Sequence, residues 1–565
     1  MDYLLFIICA FAIVLIIFIE GAMREKKNRH IYRNWLKESF GKANKEALSA
    51  EAIGNISLYH EAQALKDPDR FYIDAITWHD LSMDDIFSDM DTCSSILGEE
   101  QLYHRLHCPV LTGDDGSYDH FVKLGVHFAA SEDERIRVQE ILHDIGINRK
   151  TSFTKVFDYI KNLEAESNTQ HYMIVLLMLI SIVMVFVFPG LGVIMLVAAM
   201  IISIGTYLRK KKAIDPVIVT FNYTAKMLKA IEKLNKAAIP ELSGDLDILN
   251  EAKVPLKGIM SKSVWLTSGT VSMDNPAMLL EEYIKMFFHI DLIMINRMIV
   301  KLKQEADSID TIRDVLGNID ASIAAASYRL SLAESCRPDF AQGGRAFLTV
   351  EDCVHPLISS PVANSIDAQG PVLLTGSNAS GKSTFLKTVA ISALFAQTLG
   401  YVPAAKYRGS RFKIYTSMAL NDSILNGESY FIVEIKSIKR ILDAGDDGIP
   451  VLCCIDEVLR GTNTVERIAA STQILKSLTG DNYVPFAATH DIELTHLLEE
   501  QYANYHFEEE VTADDVKFNY RLKEGRAQSR NAIRLLQVMD YDQRIIDIAD
   551  AMVEAFIDKG TWEKD

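Results

Sequence analysis

The sequence predicts an α/β C-terminal domain built on a phosphate-binding loop, preceded by an all-α region that a transmembrane helical hairpin interrupts. Three observations predict it. Residues 371–390, PVLLTGSNASGKSTFLKTVA, read as an apolar strand, a glycine-bracketed loop and a helix start. Residues 78–163 and 216–332 carry apolar side chains at helical spacing, whereas the chain past Cys336 alternates short β-rich runs with helices. Residues 171–208 contain no Asp, Glu, Lys or Arg.

The loop from Gly376 to Ser383 is G-x-x-x-x-G-K-S. Gly376 and Gly381 permit backbone angles that a side chain forbids, so the N–H groups of Ser377, Asn378, Ala379 and Ser380 can turn toward phosphate oxygens. The helix that opens at Lys382 offers its positive end to the same anion. Lys382 then reaches the outer phosphates, Ser383 ligates magnesium and Thr384 continues the polar run. The spacing implies a nucleotide and leaves open what the nucleotide drives.

Two other strand ends complete this chemistry. Val451 to Ile455 is a buried-strand pattern ending in Asp456 and Glu457. Asp456 is placed to hold magnesium and Glu457 to orient and deprotonate a water. Pro485 to Thr489 is a further strand ending at His490, whose imidazole can contact a terminal phosphate or the water. Lys382, Glu457 and His490 are the candidate catalytic residues, and Ser383 and Asp456 the candidate metal ligands.

Composition sets the limits on partners. A chain of 565 residues with 49% hydrophobic content can build several cores. A net charge of −18 excludes a broadly basic nucleic-acid-binding surface, so DNA contact requires a local patch. Lys226, Lys229, Lys233, Lys236, Lys253, Lys257 and Lys262 form the candidate patch, and a solvated helix face explains the same stripe. The seven cysteines show no C-x-x-C pair and read as buried thiols in a reducing compartment.

The run from Tyr3 to Ile19 is uncharged, and Arg24, Lys26, Lys27, Arg29 and Arg33 follow it. That order reads as an uncleaved anchor with the chain body in the cytosol. Residues 171–208 are broken by Pro189-Gly190 and end in Arg209, Lys210, Lys211 and Lys212, so two short spans return the chain to the same side. Three spans at the plasma (inner) membrane with cytoplasmic soluble domains is the consistent topology. In the helical region, Ile86, Met90, Cys93, Leu97 and Leu102 mark a buried face, Asp80 is a candidate helix cap, and Pro240, Pro255 and Pro276 mark breaks. The stretch 278–300 is apolar but studded with charge, which predicts a packed helix rather than a fourth span.

HPLI at 355–358, VANSI at 362–366, TGSNASGKSTFLK, YVPA at 401–404, ESYFIVEI at 428–435, IDEVLRGTNT and ATHDIEL occur in one order across about 200 residues. In that combination the C-terminal region resembles the ATPase domain of the MutS family, an ABC-like P-loop NTPase. The resemblance implies ATP with Mg2+, a homodimer in which Ser429 reaches the partner subunit's γ-phosphate, Asn378 in the loop, and Asn364 near the adenine. An ordinary amphipathic helix start with Ser429 as cap and Glu434 exposed explains the same stretch. More loosely, the helical region resembles the family's core and levers, and residues 529–550 its dimerisation tail. The divisions are then 1–20 anchor, 21–77 juxtamembrane linker, 78–170 first part of the helical core, 171–208 hairpin, 209–335 lever region, and 336–565 ATPase domain with tail.

Departures from the family pattern are Ser377, Ala379 and Ser380 for Pro, Met and Gly, Tyr430 for Thr, and Glu466-Arg467 for Asp-Gly. None removes a phosphate or magnesium ligand. The mismatch-reading and connector domains have no counterpart, and the hairpin interrupts the helical core where the family carries its DNA clamp. The resemblance implies a membrane-held ATPase binding double-stranded DNA in mismatch repair, recombination or DNA sensing. The alternative is a mechanochemical ATPase working on membrane lipid without DNA. A scaffold that binds ATP and rarely hydrolyses it is disfavoured by the presence of Glu457.

Overall fold

The structure is a computed structural model that describes residues 23–24, 26–113, 115–150, 152–162, 167–256, 283–341, 343–377, 380–418, 430–511, 516–527, 533, 536 and 541–559. The expected anchor at 3–19, Pro276, Lys257, Lys262, Asn378, Ala379 and Ser429 lie outside the described residues. The chain divides into two units, one of residues up to 67, 90–104 and 123–328, the other of 68–89, 105–122 and 329 onward.

The first unit is helical. Met90, Leu97 and Leu102, at the end of helix Met83–Met90 and along Ile96–Leu106, and Cys93 in the turn between those helices are all buried. Helix Ala306–Ser331 approaches Ile96–Leu106 closely: a Cβ on Gly317 would stand 2.6 Å from the Leu97 carbonyl oxygen. Polar groups buried there are paired. Arg313 donates to Glu100 and Thr154 at 2.8 Å each. The Asp320 carboxylate accepts from Ser94 N, Ser95 N and Ser95 Oγ.

The apolar stretch forms helices Thr169–Val187 and Pro189–Ala237, packed antiparallel across the turn at Phe188. Gly192 permits that contact, because a Cβ there would lie 2.3 Å from Val185 N. Segments Thr169–Val187 and Pro189–Lys210 each have mean hydropathy 2.3 and the length to cross a membrane, with only 22% of each apolar window buried. Phe186 is 83% exposed and Ile194 68%. The second helix continues past the basic cluster for 49 residues in all. A mostly helical segment over 283–304 follows, broken at His289, where φ is +50. Its charges are used in packing: Asp291 accepts from Tyr207 and Arg297 donates to Tyr172.

The second unit is α/β. Strands β1 (Asp339–Phe340), β2 (Leu348–Cys353), β3 (Asn364–Ala368), β4 (Val372–Thr375), β5 (Lys406–Gly409), β6 (Lys413–Ser417), β7 (Val451–Asp456), β8 (Tyr483–Ala488), β9 (Ala503–Val511) and β10 (Val516–Glu524) form two sheets. The smaller has order β1-β5-β2-β3 and the larger β10-β9-β4-β8-β7-β6. In the larger sheet all pairings are parallel except β10 on β9. β4, β7 and β8 are buried nearly throughout, which their unbroken apolar runs require of central parallel strands.

Two readings from sequence are corrected here. Residues 78–89 and 105–122 belong to the α/β unit rather than to the first part of a helical core, and residues 68–77 belong to it rather than to a linker. The cause is a polar seam on β6, where Asp80 accepts from Thr416 Oγ1 at 2.7 Å and Met418 N at 3.0 Å, and Thr77 Oγ1 accepts from Thr416 N. Asp80 is therefore not a cap. Asp74 caps helix Ala75–Asp80, accepting from Thr77 N.

Candidate nucleotide site

Three neighbouring parallel strands deliver the site. β4 ends in the loop 376–381 and helix Lys382–Thr398, β7 ends at Asp456, and β8 between them leads to His490. A crevice outside the carboxyl ends of parallel strands is where such sheets bind ligands. The cavity there holds about 520 Å3 and is lined by Ser377, Lys382, Ser383, Asp456, Glu457 and His490, among others. Ser380, Gly381, Thr384 and Asn364 also face it.

The loop turns at Gly376 with φ +139, and a Cβ there would lie 2.7 Å from the Phe507 carbonyl oxygen. Only glycine fits both demands. Lys382 Nζ donates to the carbonyls of Gly376 and Ser377 at 2.7 and 2.8 Å and lies 3.4 Å from His490 Nε2. Among the described residues the buried Ser380 hydroxyl has no protein partner, which leaves it as a donor to an anion in the loop. Ser383 Oγ donates to Asp456 Oδ2 at 2.5 Å. Two oxygen ligands so close suit a hard cation such as magnesium.

Glu457 is the most constrained group. Its backbone sits in the left-handed region at φ +61, with its N–H donating to the Ala488 carbonyl. Its carboxylate meets His490 Nε2 at 3.1 Å and takes a bidentate pair from Arg460 at 2.5 and 2.7 Å. His490, and then Arg460, hold the carboxyl down at about 2 against its partial burial. Glu457 is thus ionised, and positioned beside the loop lysine's neighbour His490.

MutS domain V matches residues 372–557, which takes in β4, β7, β8 and every catalytic and metal candidate just described. The DNA mismatch repair protein MutS of Natronomonas pharaonis is 34% identical over 231 residues, 39% of this chain and 26% of the relative. MutS protein homolog 4 of Mus musculus is 28% identical over 269 residues, 44% and 27% of the two chains. The DNA mismatch repair protein MutS of Thermus aquaticus is 29% identical over 262 residues, 45% and 31%. The C-terminal part of the chain, residues 372–557, belongs to the MutS family. Its match spans about a quarter to a third of the length of these relatives.

Set against the MutS pattern, two of the departures have local roles. Arg467 makes a bidentate pair with Asp491 at 2.7 and 2.9 Å, next to His490. The Glu466 N–H is taken by Asn463, which caps helix Thr464–Ser477. Asn364 lines the cavity, but its amide is committed: Nδ2 donates to the Tyr520 carbonyl and Oδ1 accepts from Leu522 N. Glu434 is 2% exposed, which excludes the ordinary amphipathic start that would leave it in solvent. Its Oε1 accepts the Arg460 N–H at 3.1 Å, and its burial raises its carboxyl. Reading the sequence missed both Arg460 and Glu434, since the first reads as part of a turn and the second as a helix surface.

In the candidate DNA patch of the helical unit, two of the five described lysines are ion-paired. Lys226 donates to the Ile145 carbonyl, Lys233 pairs with Asp144, and Lys253 pairs with Glu232 at 2.9 Å. Lys229 and Lys236 also act on Glu232, whose carboxyl is lowered first by Lys253.

Proposed function

We propose that this chain hydrolyses ATP in its MutS-family part and, as a homodimer held at the membrane, couples the cycle to double-stranded DNA. The observation that carries the hydrolase reading is the convergence of Lys382, Ser383, Asp456, Glu457 and His490 on one cavity. Lys382 and the loop N–H groups hold the phosphates, and Ser383 and Asp456 hold magnesium, which supplies positive charge on the phosphate oxygens when bound. Glu457 accepts the proton of the attacking water as its oxygen bonds the γ-phosphorus. The bond from that phosphorus to the β–γ bridging oxygen breaks, giving ADP and phosphate. His490 orients Glu457 and the water.

The DNA reading draws on the relatives, two of which are named DNA mismatch repair proteins. Its test is duplex binding by the detergent-solubilised chain at low salt, using matched, mismatched and branched DNA with and without ATP. Binding that strengthens as salt falls is expected. Undetectable binding at low salt ends the DNA reading and leaves hydrolysis intact.

A second reading, an ATPase that moves membrane spans without DNA, is favoured by the exposed apolar faces of the hairpin. With Arg209 and Lys210 following the second span, both soluble ends lie on the cytoplasmic side. Labelling of cysteines introduced at the Phe188 turn from outside the cell tests that placement. Labelling only after permeabilisation contradicts it.

A further inference from the structure

We infer that Arg460 is a latch on Glu457, set by the buried carboxylate of Glu434. The inference rests on the reading of Glu457 as the base for ATP hydrolysis. It begins with the backbone, because Glu457 at φ +61 and Leu459 at φ +59 place two side-chain-bearing residues in the left-handed region within three positions. Such a turn persists only where its surroundings over-determine it.

Glu434 supplies that constraint. One of its oxygens accepts Arg460 N at 3.1 Å. Ser471 holds the intervening Val458 carbonyl at 3.0 Å. Gly461 lies flat against the same helix, Tyr430–Asp443, where an added Cβ would come 3.2 Å from Phe431 Cβ. The position of that helix therefore fixes the turn, and the turn fixes where the Arg460 guanidinium falls.

It falls on Glu457. Arg460 Nε and Nη2 take one carboxylate oxygen each, and His490 meets Oε1 as well. A carboxylate with both oxygens engaged by a planar fork has few lone pairs left for a water proton. Of the two partners, Arg460 is the more exposed, its side chain being 57% exposed against 36% for His490. Glu434 and Arg460 are thus positioning residues. Displacing the helix 430–443 would release the arm and free Glu457.

The test uses the purified full chain in detergent, with kcat, KM and the affinity for a fluorescent ATP analogue as readouts. If the latch is closed about nine-tenths of the time, Arg460→Ala raises kcat about tenfold with affinity unchanged. Arg460→Lys keeps the charge but not the bidentate fork, and gives a smaller rise; it also serves if the alanine variant does not fold. Glu434→Gln weakens the anchor and raises kcat in the wild-type background, with no effect in the Arg460→Ala background. A fall or no change in kcat in the Arg460 variants overturns the latch, provided Glu457→Gln abolishes wild-type turnover. A Glu434→Gln effect equal in both backgrounds, or absent in both, removes Glu434 from it. If the wild type does not turn over ATP, or Glu457→Gln matches it, the base reading itself has failed.

Discussion

Asp320 in the helical unit and Glu434 in the α/β unit are both buried carboxylates that hold backbone N–H groups, yet only Glu434 stands behind a cavity. Asp320 takes the N–H groups of Ser94 and Ser95 and the Ser95 hydroxyl, so its surroundings are closed on themselves. Glu434 takes the Arg460 N–H of a strained turn whose outer face is Glu457 and Arg460. Buried polarity is common to both regions, and Arg313 with Glu100 adds more in the helical one. What separates a site from a staple is that polar groups from three strand ends open onto one space.

The comparison predicts that damage in the helical unit lowers stability and spares the nucleotide site, while damage at the strand ends changes nucleotide affinity or turnover and spares stability. The largest stability effect is expected from Arg313→Ala, which leaves Glu100 buried and unpaired. A loss of about 3–5 kcal/mol is expected in denaturant melts, with the affinity of the folded protein for an ATP analogue unchanged. A matching loss of affinity would break the comparison.

Asp320 gives the next effect, through pH. Burial raises its carboxyl from 3.8 to about 6, so the folded unit binds a proton in that window where the unfolded chain does not. Its contribution is full below the window and lost as pH rises through about 6, a change of about 3 kcal/mol at about 1.4 kcal/mol per unit. Asp320→Asn should flatten stability against pH across this window; an unchanged slope would assign the dependence elsewhere. Gly317→Ala comes next, costing about 1–3 kcal/mol because its Cβ meets the Leu97 carbonyl. In the α/β unit, Asn463→Ala removes a cap for about 1 kcal/mol. Its melt should move less than that of Gly317→Ala.

The nucleotide loop, Asp456, Glu457 and His490 were legible because each sits in a short contiguous run at a strand end, where type and spacing carry the chemistry. The two apolar helices were legible from absent charge, and the burial of Ile86, Met90, Cys93, Leu97 and Leu102 from their spacing, although a turn at 91–95 divides that stretch into two helices. Asp80 was not, since its partner Thr416 lies 336 positions away and a lone Asp near a helix reads first as a cap. Glu434 was hidden for a related reason. Its helix has charge at surface-like spacing, and only the packing of the 457–461 turn against it buries the carboxylate. The bidentate pair between Arg460 and Glu457 depends on two positive φ angles at non-glycine positions, which no local pattern announces.

The central claim is that Glu457 acts as the base of an ATP hydrolase. It is tested most directly by single-turnover hydrolysis in Glu457→Gln, with ATP affinity measured on the same sample. Turnover should fall by about 10²- to 10⁴-fold with affinity unchanged. Turnover equal to wild type would contradict the account.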